Sequence, residues 1–207
     1  MSILLKEEII KKYDDGSILI EPYNSEQLGP NSYDVRLSDT MKVYNSGNMV
    51  SGEMILDIKE NNTTRSITIP EEGIVLRPGI LYLASTIEAI GSDHYIPMYE
   101  GRSSMARLGI QSHISAGFGD IGFKQNWTLE IVVVHPIRIY EGTKIGQIYF
   151  HAINETYNLK ENRYNGKYKY QRHPQQSKSY LDYREENDNN DNDNNNKPHP
   201  RYPNIGC

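Results

Sequence analysis

Between residues 18 and 150 the chain is cut into short apolar segments by Gly, Pro and Asn, and no stretch keeps a helical period for more than about two turns. The pattern predicts strands over 18–20, 33–37, 54–58, 66–69, 79–85, 128–134, 137–140 and 144–150, with one short helix allowed over 103–108. Strands this short and closely spaced are typical of barrels and sandwiches. We therefore predict an all-β fold.

The N-terminal segment is the one place where a helix precedes the strands. Apolar residues at 3, 4, 5, 9 and 10 alternate with charges, which predicts a short amphipathic helix over 3–12 that Gly16 ends. Glu7 and Glu8 stand where a secretory signal needs a basic start, and no run is long enough to span a membrane. We expect a cytoplasmic protein with no membrane partner.

Composition limits the partners that this chain can have. The formal net charge of -5 gives no overall attraction for nucleic acid, so any phosphate site must be a local cluster of Arg and Lys. The single cysteine, Cys207, excludes a disulfide framework and a cysteine-based zinc site within one chain. Sixteen Tyr against three Phe favour sheet surfaces and subunit contacts, so we expect an oligomer.

The composition changes sharply at Arg184. Residues 187–196 are all Asn or Asp, and such a segment cannot bury enough apolar surface to order itself. We predict one domain over 1–183 and a disordered tail over 184–207 that has no function of its own.

A first candidate site lies between Gly101 and Gly109. Two arginines, Arg102 and Arg107, flank a Ser103-Ser104 pair that opens a possible helical turn. Backbone N–H groups and guanidinium forks of this kind can hold a triphosphate. The alternative is a turn whose serines cap a short helix and whose arginines extend into solvent.

A second candidate is the strand that follows Trp127. Residues 127, 129, 131 and 133 share one apolar face, whereas Glu130 shares the other with Thr128 and two valines. A glutamate on a partly apolar face would have a raised pKa, as a general base near neutral pH requires. The alternative is a glutamate that faces solvent on a one-sided strand.

A third candidate is the basic and aromatic segment over 164–180, which contains Tyr164, Lys167, Tyr168 and Gln171. Such a segment could fold over a bound nucleotide as a lid. It could equally be a packed C-terminal arm.

Together these pieces resemble the dCTP deaminase family of the dUTPase-like superfamily, over roughly residues 1–180. Six segments carry the resemblance in order: 29–37, 101–109, Ala116-Gly117-Phe118 with Asp120, 127–131, 142–147, and Gly166-Lys167-Tyr168 with Gln171. The resemblance implies a distorted, jelly-roll-like β-barrel that forms homotrimers with active sites between subunits. It also implies dCTP as substrate, dUTP as a further ligand and dTTP as an inhibitor.

The resemblance further implies a role for each matched residue. Glu130 would activate water, while Ser103 and Arg107 would polarise it and the base. The remaining residues would bind substrate: Arg102 and Ser104 at phosphates or the neighbouring subunit, Ala116 and Gly117 at cytosine, Asp120 at deoxyribose, and Tyr164, Lys167, Tyr168 and Gln171 over the triphosphate. Magnesium would arrive on the triphosphate, with no metal ligand from protein side chains.

Zinc-dependent base deaminases carry H-x-E and P-C-x-x-C signatures, and this chain has neither. Deamination would then depend on a carboxylate base, an oriented water and a dry pocket. We therefore predict that the chain converts dCTP to dUTP and ammonia without zinc, supplying dUTP and dUMP for thymidylate synthesis.

Three alternatives stay open. The Ala116-Gly117-Phe118 sequence looks closer to members that also hydrolyse the triphosphate to dUMP. A pure dUTPase is disfavoured, since Phe123 lies where such enzymes use Tyr. A non-catalytic nucleotide-binding trimer would have no use for Glu130 and Arg107 together.

Two residues depart from the family pattern. Many relatives have isoleucine where this chain has Gly119, and threonine is common at the position of Ser115.

Overall fold

The computed structural model describes residues 2–45, 49–50, 53–153 and 163–183, so the predicted tail over 184–207 lies outside the described residues. Helix α1 spans Lys6–Asp14, beginning three residues later than the pattern suggested. The reason is that residues 3 and 4 pair with the end of the last strand: Ile3 bridges His151, and the Leu4 N–H donates to the Phe150 carbonyl at 3.0 Å. Glu8 then caps the helix by accepting from the Leu5 N–H at 2.8 Å.

Thirteen strands, one further α-helix and two 3-10 helices follow α1 in the described residues. The strands are β1 (Ile18–Glu21), β2 (Tyr33–Arg36), β3 (Thr40–Tyr44), β4 (Met49–Val50), β5 (Glu53–Met54), β6 (Thr64–Thr68), β7 (Ile74–Leu76), β8 (Tyr82–Ser92), β9 (Tyr95–Gly101), β10 (Ile110–Gln111), β11 (Lys124–Val133), β12 (Ile137–Ile139) and β13 (Lys144–Ala152). Helix α2 is Ser103–Arg107, and the 3-10 helices are Ser25–Gln27 and Ser179–Tyr183. The predicted all-β class with a short N-terminal helix is confirmed.

The pairs in these sheets are antiparallel. The largest sheet has the order β10-β11-β8-β3-β6, with β1 pairing to the far half of β8. A second sheet, β2-β13-β9, packs against it, and the buried side chains between them include Tyr33, Leu37, Tyr99, Ile131 and Phe150. Strands that are neighbours in sequence often lie in different sheets, as they do in jelly-roll-like folds.

Strand β11 changes register against β8 between Asn126 and Thr128. Three β8 residues, 86–88, lie opposite the single residue Trp127, so β8 bulges at this point. The Asn126 side chain bridges the bulge by donating to the Thr86 and Ile87 carbonyls at 3.1 and 2.9 Å. The bulge therefore fixes where the second half of β11 lies, including Glu130.

The predicted strand over 54–58 is wrong beyond Met54. Asp57 accepts from the Lys59 N–H at 2.9 Å, and the Asn62 side chain accepts from the Asp57 N–H at 3.1 Å. Side chains that bond to nearby backbone in this way stabilise a turn instead of a strand. No helix in the described part of the chain is long and apolar enough to cross a membrane.

Candidate active site

A cavity of about 490 Å³ opens beside the second half of β11. One wall is mostly apolar and comes from the barrel: Leu81, Leu83, Ala116, Phe118, Gly119, Phe123 and Trp127. The other lining groups are polar or amphipathic and come from β3, β11, the 115–122 loop and the C-terminal segment: Tyr44, Asp120, Thr128, Glu130, Tyr164, Tyr168, Gln171, Gln175, Gln176 and Ser177. This size is ordinary for a small-molecule site.

Glu130 reaches the cavity because β11 alternates as its sequence predicts. Trp127, Leu129, Ile131 and Val133 are buried, whereas the residues between them are half-buried. The register pairs Glu130 with Leu83, which also lines the cavity. Glu130 thus lies on the open face of a strand whose other face is core.

Burial raises the pKa of Glu130 above its ordinary value, because the charged carboxylate loses water there. Three smaller effects oppose this rise: the Ile114 N–H donates to Oε2 over a long 3.4 Å, His113 lies nearby, and the backbone N–H of Glu130 itself interacts with the carboxylate. Desolvation remains the dominant cause. A carboxylate of this kind can accept a proton nearer to neutral pH than an exposed glutamate can.

The loop over 115–122 runs antiparallel to β9. The Tyr99 N–H donates to the Gly117 carbonyl at 2.7 Å, and the Gly119 N–H donates to the Pro97 carbonyl at 2.9 Å. Gly117 and Gly119 consequently face the barrel and are buried, whereas residues 116, 118 and 120 face outward. The structure brings Ala116 and Asp120 to the cavity with Glu130; Gly117 supports the loop from behind.

Residues 163–183, called the C-terminal arm here, pack beside the cavity. The arm starts where the Tyr164 N–H donates to the Ile121 carbonyl at 2.7 Å. Gln171, which is only 8% exposed, donates to the Asn126 carbonyl at 2.7 Å. Further along, the Ser177 N–H donates to the Tyr44 hydroxyl at 3.2 Å. Of the residues predicted in this segment, Tyr164, Tyr168 and Gln171 line the cavity.

Lys167 lies in the arm but not in the cavity wall. Its ammonium group instead forms an ion pair with Asp182. The structure therefore shows the packed arrangement of the arm, and closure of the arm over a nucleotide stays a prediction.

The Arg and Ser residues at α2 form a separate cluster outside the cavity lining. Arg107 donates to the Ser103 hydroxyl at 3.3 Å on an exposed surface, and Ser104 is exposed beside them. Arg102 instead pairs with Asp34 at 3.1 Å, which also contacts Lys144 at 3.4 Å. Within one copy of the chain, these four predicted residues lie close to one another, and none of them lines the cavity that Glu130 lines.

Several residues that line the cavity were not predicted from the sequence. Tyr44 lies in β3, a strand that was not predicted, although the alternation in residues 40–44 was a usable signal. Gln175 and Gln176 lie inside the predicted segment over 164–180 but were not singled out, because nothing in their sequence distinguishes them from a solvated loop. Trp127 was predicted only as a core residue, yet it also lines the cavity.

Among the described residues, no group of three or more His, Cys, Asp or Glu side chains is arranged to hold a metal ion. Asp120 is the other acidic residue among those that line the cavity with Glu130.

Comparison with known proteins gives a consistent result. A family model described as dCTP deaminase-like matches residues 3–153. A dUMP-forming dCTP deaminase of Clostridium acetobutylicum is 46% identical over 181 residues, which are 87% of this chain and 99% of that protein. One from Cytophaga hutchinsonii is 47% identical over 174 residues, covering 84% of this chain and 95% of that protein.

Among solved structures, the 2'-deoxycytidine 5'-triphosphate deaminase from Agrobacterium tumefaciens superposes with a TM-score of 0.57 at 18% identity. The match covers 73% of this chain and 48% of that one, so it spans about half of the solved chain's length. At this identity the likeness speaks for the fold, and it agrees with the expected barrel architecture.

Proposed function

The chain belongs to the dCTP deaminase-like family, and from that premise we propose that it hydrolyses the C4 amino group of dCTP, giving dUTP and ammonia, with Glu130 as general base. The observation that carries the proposal is a half-buried carboxylate of raised pKa on the wall of a cavity with an apolar floor. A base near the operating pH and a partly dry site are what metal-free deamination requires.

The proposed reaction needs one proton acceptor that later becomes a donor. Ionised Glu130 takes a proton from water as the hydroxyl adds to C4, and passes that proton to the ring nitrogen N3 as the tetrahedral adduct forms. The ionised carboxylate then takes the O–H proton of the adduct and delivers it to the amino group, so that C4 becomes a carbonyl, the C4–N bond breaks and ammonia leaves. One water is consumed, its two protons end on N3 and in ammonia, and Glu130 ends ionised.

Ser103 and Arg107 are proposed to hold the water and polarise the base, although they lie outside the cavity of their own copy. Their mutual hydrogen bond and exposure leave them available to a second copy of the chain. We place each active site between subunits of a homotrimer, where one copy gives Glu130 and its neighbour gives the Arg-Ser cluster. Arg102 and Ser104 would contact phosphates or the same interface.

The other roles follow the cavity and the arm. Ala116 would present its backbone to cytosine, supported by Gly117, and Asp120 would lie near the deoxyribose. Tyr164, Lys167, Tyr168 and Gln171 would contact the triphosphate, which carries its own magnesium ion. Zinc is not part of the proposal, since the sequence contains neither an H-x-E nor a P-C-x-x-C signature.

A second candidate is the bifunctional reaction, in which a further water attacks phosphorus and releases dUMP and pyrophosphate. Two observations favour it: the relatives described above are named dUMP-forming, and Asp120 lines the same cavity as Glu130. Asp120 would then orient the second water. The two candidates share the deamination step and differ in whether the triphosphate survives.

Product analysis tests both candidates. The purified full-length chain is incubated with dCTP and, separately, with dUTP, each with magnesium. Ammonia without pyrophosphate supports the monofunctional enzyme, and ammonia with pyrophosphate supports the bifunctional one. Pyrophosphate from dUTP alone, with no ammonia from dCTP, would overturn the proposal in favour of a dUTPase, and no product would favour a binding protein.

Glu130→Gln tests the assigned base. The amide keeps the shape of the side chain but accepts no proton from water, so we expect deamination to fall by about 10²- to 10⁴-fold while dCTP still binds. Glu71→Gln, at an exposed carboxylate in the turn before β7, is the matched control and should keep full turnover. Near-normal turnover of Glu130→Gln would remove Glu130 from its role.

A further inference from the structure

Trp127, the single tryptophan of the chain, is held rigidly beneath the cavity. It is 5% exposed, and its indole N–H donates to the Ile90 carbonyl at 3.0 Å. Its backbone N–H donates to the Thr86 hydroxyl at 2.9 Å, inside the β8 bulge. The indole therefore cannot rotate without losing a buried hydrogen bond.

The indole also packs against the other parts of the cavity. Tyr99 of β9 stacks on it with 6.2 Å between ring centroids, and Phe123 meets it edge to face at 5.5 Å. Phe123 in turn meets Tyr164, the first cavity residue of the C-terminal arm, at 5.6 Å. The indole of Trp127 thus contacts β9, the strand behind the 115–122 loop, directly through Tyr99. It contacts the C-terminal arm indirectly, because Phe123 lies between the indole and Tyr164.

Gly119 is the point where the 115–122 loop crosses the indole. A Cβ atom at this position would lie 2.5 Å from Cη2 and 2.7 Å from Cζ2 of Trp127, and 2.8 Å from Cγ of Pro97. These distances are far below ordinary van der Waals contact. The backbone of Gly119 is not in the left-handed region. The requirement for glycine here is therefore one of space and not of backbone conformation.

We propose that Gly119 and Trp127 are a size-matched pair that positions the 115–122 loop, and with it Ala116 and Asp120, against Glu130. The inference rests on the proposed function. Trp127 acts here as a positioning residue, and the absent side chain at 119 is what lets the loop lie flat on the indole. Because interiors are close-packed, a methyl group added at 119 must move the loop or the ring.

The pair is expected to govern turnover more than nucleotide affinity. Misplacing a reacting group by about 1 Å can lower a rate by about 10²-fold. The proposed triphosphate contacts of the arm do not involve Gly119, so they should survive the displacement of the loop even though the contacts of Ala116 and Asp120 weaken. A kcat that falls by a larger factor than the affinity for dCTP, in a protein that still melts cooperatively, separates positioning from simple unfolding.

The test is a double-mutant cycle of Gly119→Ala and Trp127→Leu on the full-length chain. Gly119→Ala should lower kcat for ammonia release by about 10- to 100-fold and raise the Kd for dCTP by a smaller factor. In the Trp127→Leu background, where the outer ring of the indole is gone and only the close contact with Pro97 is left, adding Gly119→Ala should cost much less than it does beside the indole. Gly16→Ala is the control: its added Cβ meets no atom within 4 Å, and the strain from its φ of +75° lies outside the cavity lining, so it should lower the melting temperature without lowering kcat or dCTP affinity.

Trp127 fluorescence gives a readout that needs no turnover. Because it is the only tryptophan, its emission should shift to longer wavelength in Gly119→Ala and stay unchanged in Gly16→Ala. The melting temperatures of the four proteins of the cycle should show the same coupling as kcat. If the wild-type chain releases no ammonia, the proposed function fails. The fluorescence and melting measurements still test whether Gly119 and Trp127 are a size-matched pair, because neither needs turnover.

Two results would overturn the size-matched pair. One is that Gly119→Ala lowers kcat by the same factor, or the melting temperature by the same amount, in the wild-type background and in the Trp127→Leu background. The other is wild-type kcat and wild-type emission in Gly119→Ala, which would mean that the loop accepts a methyl group without displacement.

Discussion

At the scale of single residues, Glu130 lies in surroundings that oppose its own charge. Its pKa is raised mainly because burial removes water from the carboxylate, and the long contact with the Ile114 N–H offsets only part of this effect. Such a group costs stability whenever it is ionised in the folded state. The property that suits Glu130 to accept a proton is therefore also one that weakens the fold.

Replacing Glu130 with glutamine should consequently stabilise the protein at neutral pH. Below the ordinary pKa of a glutamate, the carboxyl is neutral in both folded and unfolded chains, and the two proteins should melt together. As pH rises through the ordinary value and then the raised folded-state value, the wild type loses stability that the glutamine variant keeps. Melting temperatures measured from acid to neutral pH check this.

The Glu71→Gln variant serves as the control, since it removes an exposed carboxylate and should show no such divergence. Equal melting of wild type and Glu130→Gln at every pH would mean that Glu130 is well solvated when ionised, against the burial described above.

The alternation along β11 was readable from sequence, since 127, 129, 131 and 133 are apolar and do face the core. The partners of Glu130 were not, because Ile114 lies sixteen residues away and reaches it only through the fold. Gly119 shows the same limit. It was recognised as unusual, but its reason is a ring that folding brings against it.

At the scale of elements, the C-terminal arm is attached to the barrel chiefly by polar contacts. Besides Gln171 and Ser177, the Lys42 ammonium donates to the Gln176 side chain at 3.1 Å. Asp93 binds both Lys124 of β11 and Arg163 at the start of the arm. The partly exposed contacts among these each contribute little to holding the arm, whereas the buried hydrogen bond of Gln171 contributes more.

Removing the arm before Tyr164 should weaken dCTP binding, because the proposed triphosphate contacts go with it. We expect about a tenfold loss of affinity for each charged or charge-assisted contact removed. Lys167→Ala, which leaves the rest of the arm in place, should show the smaller part of this loss. Isothermal titration with dCTP and magnesium measures both.

Deleting only 184–207 provides the comparison, since that segment follows the arm and should be dispensable. Unchanged dCTP affinity after removal of the arm would contradict its assigned role, provided that the shortened chain still melts cooperatively.

Elements were predictable where their own residues decide them and not where distant partners do. Strand β8 was predicted only to Ser85 but continues to Ser92 through Glu88, a carboxylate that is fully buried. Glu88 is tolerated because it accepts from Arg36 Nε at 2.6 Å and from the Gln27 amide at 2.9 Å. Strand β9 was not predicted, and Pro97 within it is unusual for a strand. In the structure the Pro97 carbonyl still accepts a hydrogen bond from the Gly119 N–H.

At the scale of the whole molecule, the proposed site is divided between two surfaces of one copy. Glu130 lies in the cavity, whereas Ser103 and Arg107 lie on exposed α2. Two apolar side chains are exposed near α2: Leu108 is 53% exposed and Val134 is 75% exposed. They lie close together because the Val134 N–H donates to the carbonyl of Gly109, the residue after Leu108. An exposed patch of this kind favours contact with another copy.

Complementation tests whether two copies build each site. Glu130→Gln and Arg107→Ala should each be inactive alone, but unfolding and refolding them together should restore ammonia release. Random mixing leaves about one site in four with both native residues, so recovery should approach a quarter of wild-type turnover.

Glu130→Gln mixed with Glu130→Ala is the negative control, because no arrangement of those copies supplies a native base. Absence of recovery in refolded mixtures that sediment as oligomers would place both residues in the same copy. The quaternary arrangement was suggested by the tyrosine content and the family resemblance, but no pattern within one chain specifies which copy completes a site.

The cavity has two unlike walls, one mostly of hydrocarbon and aromatic rings from the barrel and the 115–122 loop, and one of amides, hydroxyls and carboxylates from the arm, β3, β11 and the same loop. A flat molecule with polar atoms along one edge can satisfy both walls in one orientation, and turning it over would set its polar edge against carbon. The asymmetry therefore selects the pose of a guest as well as its identity. A correctly shaped compound that enters the wrong way round would dissociate before it met the carboxylate.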